Sequence, residues 1–134
     1  MNLKLIKNKK MEKMEKTSLG MDENIEGLLC YILGWLTGII FYILEKENKF
    51  VRFHAMQSTI TFLALFVVSI ALTILGAVMS FIPYMGWIIG IVFSLLQFII
   101  FVAGFILWVV GMVKAYQGEK YKFPIAGNMA EKYV

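Results

Sequence analysis

Three long apolar runs dominate the chain, at 25–44, 56–82 and 87–113. The first contains one charged residue, Glu26, near its start, and the other two contain none. A helix needs about 20 apolar residues to cross the hydrocarbon core of a bilayer, and backbone groups in lipid must be hydrogen-bonded internally. The pattern therefore predicts an all-α integral membrane protein with three transmembrane helices, over about 25–44, 56–80 and 87–113.

A charged segment at 45–58 separates the first two runs and holds the only arginine and the only histidine of the chain, Arg52 and His54. Phe50 and Phe53 lie three positions apart, so they share one face of a helix. This spacing predicts that the second transmembrane helix has an interfacial start before it enters the bilayer.

Small and polar residues form stripes along the predicted helices, and such stripes are typical of faces that pack against other helices. In the second helix the stripe runs from His54 through Ser58 and Thr61. Gln97, an intramembrane polar residue of the third helix, needs a partner on another helix, because an unpaired amide in hydrocarbon is costly. The glycines expected to permit close helix packing are Gly34, Gly38, Gly90 and Gly104.

The chain after the third run predicts a tail with a short C-terminal helix. Gly118 suits the end of the third helix, and the residues before Pro124 should be extended. Asn128, with Glu131 three residues later, could cap the short helix. Whether the tail docks beneath the bundle near Arg52 or lies on the surface stays open at this point.

Composition supports a membrane protein over a soluble one. Apolar residues make up 60% and charged residues 16% of the chain, against about 45–50% and about 25% in soluble domains. A soluble fold would need three helices that are apolar on every face, with too little polar sequence left to cover them.

The net charge of +4 does not indicate nucleic-acid binding. Residues 1–20 carry six lysines and two glutamates, whereas the remainder carries seven basic and seven acidic residues. The excess therefore belongs to the leading tail and not to a folded face. Cys30 is the single cysteine, so no disulfide can form within the chain. The sequence has no evident nucleophile–base set, metal-ligand cluster or phosphate loop, so we expect no catalytic residue, no metal, no cofactor and no enzyme activity.

The predicted domain organisation is a flexible lysine-rich tail at 1–20 and one transmembrane domain at 21–134, with Met21 as a second candidate start. Three crossings put the N-terminus opposite the 45–55 loop and the C-terminal tail. Counted from Met1, the two sides carry six and seven Lys or Arg, and counted from Met21 they carry none and seven. The positive-inside rule then predicts a plasma-membrane protein whose 45–55 loop and C-terminal tail are cytoplasmic.

Three segments resemble a family of small, uncharacterised prokaryotic membrane proteins: 34–38, 45–58 and 115–127, with the run Phe50-Val51-Arg52-Phe53-His54-Ala55-Met56-Gln57 as the most specific. The resemblance covers roughly 23–132. In the tail it is carried by Gly118, Tyr121, Pro124 and Gly127. That family is distantly similar to the twenty-kilodalton subunit of the chloroplast inner-envelope protein-import translocon. The resemblance implies no known catalysis and no cofactor.

The leading functional hypothesis is a non-enzymatic subunit or scaffold of a membrane assembly, with protein translocation as one candidate process. Its expected partners are the lipid bilayer and other membrane proteins, as a homo- or hetero-oligomer. The alternative is a small-solute or ion channel or transporter, formed by an oligomer around the polar stripe.

The candidate interaction site is a polar, protein-lined pocket at the cytoplasmic interface, formed by Arg52, His54, Gln57 and Ser58. A simpler interpretation is equally open to test. Arg52 would then reach lipid headgroups, and His54 would end the polar stripe by hydrogen bonding.

Overall fold

The computed structural model describes residues 2–4 and 16–134. Residues 16–134 contain five helices and no strand, as the all-α prediction requires. The helices are α1 (Glu23–Ile32), α2 (Trp35–Leu44), α3 (Lys49–Met79), α4 (Gly86–Tyr116) and α5 (Ala126–Glu131). Most of the predicted lysine-rich tail at 1–20 lies outside the described residues.

Helices α3 and α4 form a long antiparallel hairpin. Each has 31 residues, a length of about 46 Å at 1.5 Å per residue, against about 30 Å for the hydrocarbon core. They are the two helices of the described residues that are long and apolar enough to cross a membrane. The helices predicted over 56–80 and 87–113 are thus confirmed as helices.

Local chemistry explains where α3 begins. The side chain of Asn48 accepts a hydrogen bond from the backbone N–H of Val51 at 3.0 Å, which satisfies one of the unpaired donors of the first turn. The helix then continues from Lys49 without a break, so the predicted interfacial start and the second apolar run belong to one helix.

The single transmembrane helix predicted over 25–44 is wrong. The run contains two ten-residue helices, α1 and α2, each only about 15 Å long. The break lies at Gly34, whose φ of 64° and ψ of −128° form a conformation that side chains disfavour. The Thr37 hydroxyl accepts from the N–H of Leu33 at 3.2 Å and donates to the carbonyl of Cys30 at 3.1 Å. Backbone groups freed by the break are therefore satisfied, and residues 16–134 contain two helices of membrane-spanning length instead of the predicted three.

Helices α1 and α2 fold back on each other, so both of their outer ends lie at the same end of the α3–α4 hairpin. Asn24 in the first turn of α1 donates to the carbonyl of Tyr116 in the last turn of α4, at 3.1 Å. Beside it, Asn48 donates to the Glu23 carboxylate at 2.9 Å. The predicted passage of the first run from one side to the other is therefore wrong, because residues 16–24 and 45–49 are neighbours.

The predicted glycine contacts differ from one position to the next. A Cβ on Gly38 would lie 2.8 Å from the carbonyl oxygen of Ala55, so α2 and α3 require glycine there. Gly34 forms the turn, and a Cβ on Gly104 would make an ordinary 3.4 Å contact with Leu65. Gly90 has no atom of the described chain within 4 Å of a built Cβ, so its packing role stays a prediction.

The tail docks on the bundle, and the predicted short helix is present as α5. It begins at Ala126 instead of after Asn128, so the predicted capping box at Asn128 is wrong. Glu131 instead pairs with Lys122 at 2.6 Å and with Lys120 at 3.4 Å, which closes the tail on itself. The buried face of α5 carries only small residues, Ala126, Gly127 and Ala130.

Candidate functional site

A network of hydrogen bonds lies at the end of the α3–α4 hairpin where α1 and the tail meet it. Its three side chains, Tyr31, His54 and Gln57, have no exposed surface. The Tyr31 hydroxyl lies 2.8 Å from Nδ1 of His54, and Gln57 Nε2 donates to that hydroxyl at 3.0 Å. On its other side, His54 Nε2 lies 2.9 Å from the carbonyl oxygen of Glu119.

The partners define where each proton lies. A carbonyl oxygen can only accept, so Nε2 of His54 carries the hydrogen and donates it to Glu119. In a neutral ring Nδ1 is then an acceptor, and the Tyr31 hydroxyl donates to it while accepting from Gln57. Each polar hydrogen of this chain of three residues has an acceptor, as a buried polar cluster requires.

Gln57 holds the tail by its backbone. Its Nε2 donates to the carbonyl of Tyr121 at 2.9 Å, and its Oε1 accepts from the N–H of Phe123 at 2.9 Å. One amide thus pairs with the carbonyl and N–H of alternate residues, as a neighbouring strand would. A Cβ on Gly127 would lie 2.7 Å from Cα of Lys122 and 3.0 Å from Oε1 of Gln57, so glycine is needed where α5 packs against residue 122 and the amide.

Apolar and aromatic side chains surround the network and exclude water from it. Phe123 of the tail is 2% exposed, and its ring centre lies 6.0 Å from that of Tyr31. The indole N–H of Trp108 donates to the carbonyl of Tyr31 at 2.6 Å. Because the surroundings are apolar, each hydrogen bond lost here would leave a group that water cannot readily satisfy. The other members of the core are Cys30, Val51, Ala55, Ala115 and Ala126.

Arg52 does not join His54 and Gln57. Its Nη1 donates to the carbonyl of Tyr42 at 3.1 Å and to that of Glu45 at 2.9 Å. The guanidinium also lies 4.1 Å from the centre of the Tyr42 ring. Of the four residues of the predicted pocket, His54 and Gln57 thus meet in one network, whereas Arg52 satisfies carbonyls at the end of α2.

The remaining predicted polar residues have different surroundings. Ser58 donates to the carbonyl of Gly34 at 2.9 Å, which supports the turn between α1 and α2. The buried oxygens Thr61 Oγ1 and Gln97 Oε1 have no partner among the described residues. Further along α3, the hydroxyl of Thr73 donates to its own helix, at the carbonyl of Ser69, so it needs no partner on another helix.

Two buried carboxyl groups lie beside the network, near the N-terminal segment. Burial raises the pKa of Glu45, but its hydrogen bonds from the N–H groups of Asn48, Ser18 and Glu47 outweigh this and hold the pKa below its usual range. Glu26 has no exposed surface, and neither carboxyl oxygen has a partner among the described residues. Burial raises the pKa of Glu26; the nearby Thr17 side chain opposes this in part, and the Glu45 carboxylate adds to it.

Changing Glu26 to glutamine should remove a pH dependence of stability. A folded-state pKa above the unfolded one contributes stability below the unfolded pKa, and this stability is lost as pH rises through the folded pKa. Between the unfolded and the folded pKa, one proton accounts for a slope of up to about 1.4 kcal/mol per pH unit. We expect Glu26→Gln to keep its Tm in alkaline buffer while the unchanged chain loses stability, as measured by thermal unfolding in detergent between about pH 5 and 9.

The matched control is Glu47→Gln, which removes an exposed carboxylate in the neighbouring loop. It should leave the alkaline loss in place. Identical pH profiles for Glu26→Gln and the unchanged chain would show that Glu26 is not the group responsible.

Two members of the site were not among the predicted site residues. Tyr31 lies inside the first apolar run, where an aromatic residue is usual, and its hydroxyl alone could have indicated a buried partner. Glu26 was visible as the one charge in that run, and an acid near an apolar segment is costly unless it is neutral or paired.

Comparison with known proteins identifies relatives over most of the chain. Residues 22–130 match the model of a family described as the magnetosome magnetite crystal formation protein family, MamF/MmsF. A UPF0132 membrane protein of Methanocaldococcus jannaschii is 55% identical over 120 residues, which cover 90% of this chain and 96% of that protein. A UPF0132 membrane protein of Archaeoglobus fulgidus is 46% identical over 114 residues, which cover 85% and 97%.

No solved structure matches the chain. The predicted membership of a small, uncharacterised membrane-protein family is confirmed, while the distant likeness to a chloroplast translocon subunit stays a prediction. The chain also has two helices of membrane-spanning length, and its relatives are named as membrane proteins. It therefore belongs to the UPF0132 membrane-protein family and matches the MamF/MmsF family model.

Proposed function

We propose that this protein is a non-enzymatic scaffold subunit of a membrane assembly. In this proposal the α3–α4 hairpin is the anchor, and the end that gathers α1, the 45–49 loop and the tail is a rigid platform for partners. The observation that carries the proposal is the buried network of Tyr31, His54 and Gln57. Its polar groups form hydrogen bonds that join α1, α3 and the tail. Such a network suits a structural role, in which it fixes the shape of this end of the protein.

The platform presents apolar side chains outside the two long helices. Ile125 is 78% exposed, and it occupies a γ-turn with φ of 67° and ψ of −58°, closed by a 2.7 Å bond from Ala126 to the carbonyl of Pro124. A β-branched residue with positive φ is strained, and such strain is found at sites of contact with partners. Nearby exposed residues of the tail are Tyr121, Met129 and Tyr133.

Site-specific photo-cross-linking tests the proposal. A benzoylphenylalanine at Ile125 should capture one defined membrane or membrane-associated protein in cells. The same group at Tyr84, 96% exposed in the turn at the far end of the hairpin, is the matched control and should not capture it. Capture of nothing but other copies of this chain at Ile125 would contradict a heteromeric scaffold.

Charge distribution supports a cytoplasmic position for the platform. The sequence has no charged residue between Arg52 and Lys114, so the basic residues of the described helices and loops all lie at the platform end. The positive-inside rule then favours that end in the cytoplasm. Because α1 and α2 return to the end where they begin, the N-terminal segment from Lys16 onward belongs to the same side in this proposal.

Cysteine labelling checks this topology in a Cys30→Ser background. With an impermeant maleimide added outside intact cells, Tyr84→Cys should be labelled, and Ser18→Cys and Lys120→Cys should react only after the membrane is opened. Labelling of Ser18→Cys from outside, with Lys120→Cys protected, would instead support the three-crossing topology.

The alternative, an oligomeric channel or transporter, has one observation in its favour. A groove of about 390 Å³ between α3 and α4 is lined partly by Thr73, Ser94 and Gln97, and the amide oxygen of Gln97 has no partner among the described residues. Solute or ion flux in liposomes that contain the purified protein, lost in Gln97→Leu, would favour this alternative. Protein translocation remains one candidate process for the scaffold. Magnetite crystal formation is the role that the family description gives to other proteins, and we do not assign it to this chain.

A further inference from the structure

Three basic side chains surround a cavity at the platform end, where α2 connects to α3. The cavity has a volume of about 680 Å³, and its basic lining residues are Lys46, Lys49 and Arg52. None of the three forms a salt bridge with a carboxylate of the described residues. Among the lining side chains, Glu47 is the one acid, which leaves an excess charge of two.

Arg52 is held in position at this cavity and retains donors for a ligand. Both of its hydrogen bonds within the described chain use Nη1, toward the carbonyls of Tyr42 and Glu45, and the Tyr42 ring packs against the guanidinium. Nη2 and Nε make no bond in that part of the chain. Because an arginine fork suits phosphate oxygens, and this one is already ordered, little side-chain entropy would be lost on binding an anion.

Helix α3 adds to the positive potential of the cavity. It begins at Lys49, which lines the cavity, so the positive end of its dipole lies there. Val134 also lines the cavity. The potential at the cavity remains positive.

An exposed apolar strip leads away from the cavity along α2. Its residues are Ile43, 61% exposed, Ile40, 43% exposed, and Leu36, 45% exposed. They lie at successive positions three or four apart, on one face of the helix. A ligand that carries a negative group and long hydrocarbon chains would therefore meet both of its requirements in adjacent places.

We propose that Lys46, Lys49 and Arg52 form a binding site for the phosphate headgroup of an anionic phospholipid, whose acyl chains lie along the exposed face of α2. The site does not use the buried tail network and includes Val134 alone of the tail, so it does not rest on the scaffold proposal. A soluble phosphate would offer the same phosphate group to the three basic residues. The exposed apolar strip on α2 favours the lipid, because only a lipid has acyl chains to cover it.

Native mass spectrometry of the full chain in detergent tests the site. Dioleoylphosphatidylglycerol should remain bound at lower concentrations than dioleoylphosphatidylcholine. The variant Lys46→Gln/Lys49→Gln should weaken retention of the anionic lipid by roughly thirtyfold, the expectation for the loss of two lysines near a membrane surface. Both substitutions are at exposed positions, and unchanged circular dichroism and Tm would verify that the variant is folded.

The matched control is Lys16→Gln/Lys132→Gln, which removes the same charge elsewhere on the platform and should retain the anionic lipid within about twofold of the unchanged chain. Equal losses in the two double variants would overturn a localised site and leave only a diffuse charge effect. Equal retention of the two lipids by the unchanged chain would also overturn it. A third arm adds inorganic phosphate: displacement of the lipid at equal molar concentration would identify a soluble-anion site and overturn the lipid assignment.

Discussion

Replacing Gln57 with leucine should release the tail from the bundle. The substitution removes the donor to the carbonyl of Tyr121 and the acceptor for the N–H of Phe123. It also removes the donor to the Tyr31 hydroxyl. Each buried group left without a partner costs about 1–3 kcal/mol, so the combined loss should be about 3–5 kcal/mol, unless the tail leaves and its groups meet water.

Either response can be measured. Released, the tail should be cut by trypsin after Lys120 and Lys122, which the docked tail protects through its contacts with α3 and Glu131. If it stays docked, the chain should unfold at markedly lower denaturant or temperature in detergent. The matched control is Gln117→Leu, because the Gln117 side chain makes no hydrogen bond within the described residues. A Gln57→Leu protein with normal trypsin resistance and normal stability would show that the amide does not hold the tail.

Glycine 38 gives the second large effect, in a matched pair with Gly90. A Cβ on Gly38 would lie 2.6 Å from the Thr59 hydroxyl and 2.8 Å from the Ala55 carbonyl oxygen, and backbone cannot move aside cheaply. We expect Gly38→Ala to lower the unfolding free energy by about 1–3 kcal/mol, the usual cost of overpacking. Gly90→Ala meets open space in the described chain and should gain up to about 1 kcal/mol from helix propensity.

Denaturation of the two variants in mixed detergent micelles, followed by circular dichroism, measures both values. Opposite signs for the two substitutions are the expected result. Equal destabilisation would have a specific meaning: Gly90 would then contact another chain, as a small-residue stripe in a membrane helix allows.

The two long helices could be predicted because a long uncharged, apolar run along the sequence is enough to identify each of them. Between Phe53 and Val113 the sequence has no charge, and in lipid the backbone of such a run must be helical. The fold of the first run could not be predicted in the same way. Gly34 and Gly38 form one sequence motif, yet Gly34 turns the chain and Gly38 packs against α3. That difference depends on the φ of one residue and on the Thr37 hydroxyl beside it.

Two residues of the predicted pocket, His54 and Gln57, meet in the structure; that they form a functional site stays a prediction. His54 and Gln57 are polar residues at the start of a buried stripe, so burial without partners would be costly and a network was to be expected. Their partners were not visible, because the bonds to Glu119, Tyr121 and Phe123 join residues more than 60 positions apart. A tail without regular strand structure gives no periodic signal, and its docking depends on the shape of the bundle.

The return of α1 and α2 to their starting end has a consequence for biogenesis. Apart from the helices themselves, the segment that must be delivered across the bilayer is the connection at 80–85, which contains no charged residue. Residues 16–22, the charged loop at 45–49 and the tail can all stay on the side where they are synthesised. The hairpin can therefore insert as one unit, without any charged segment having to be translocated.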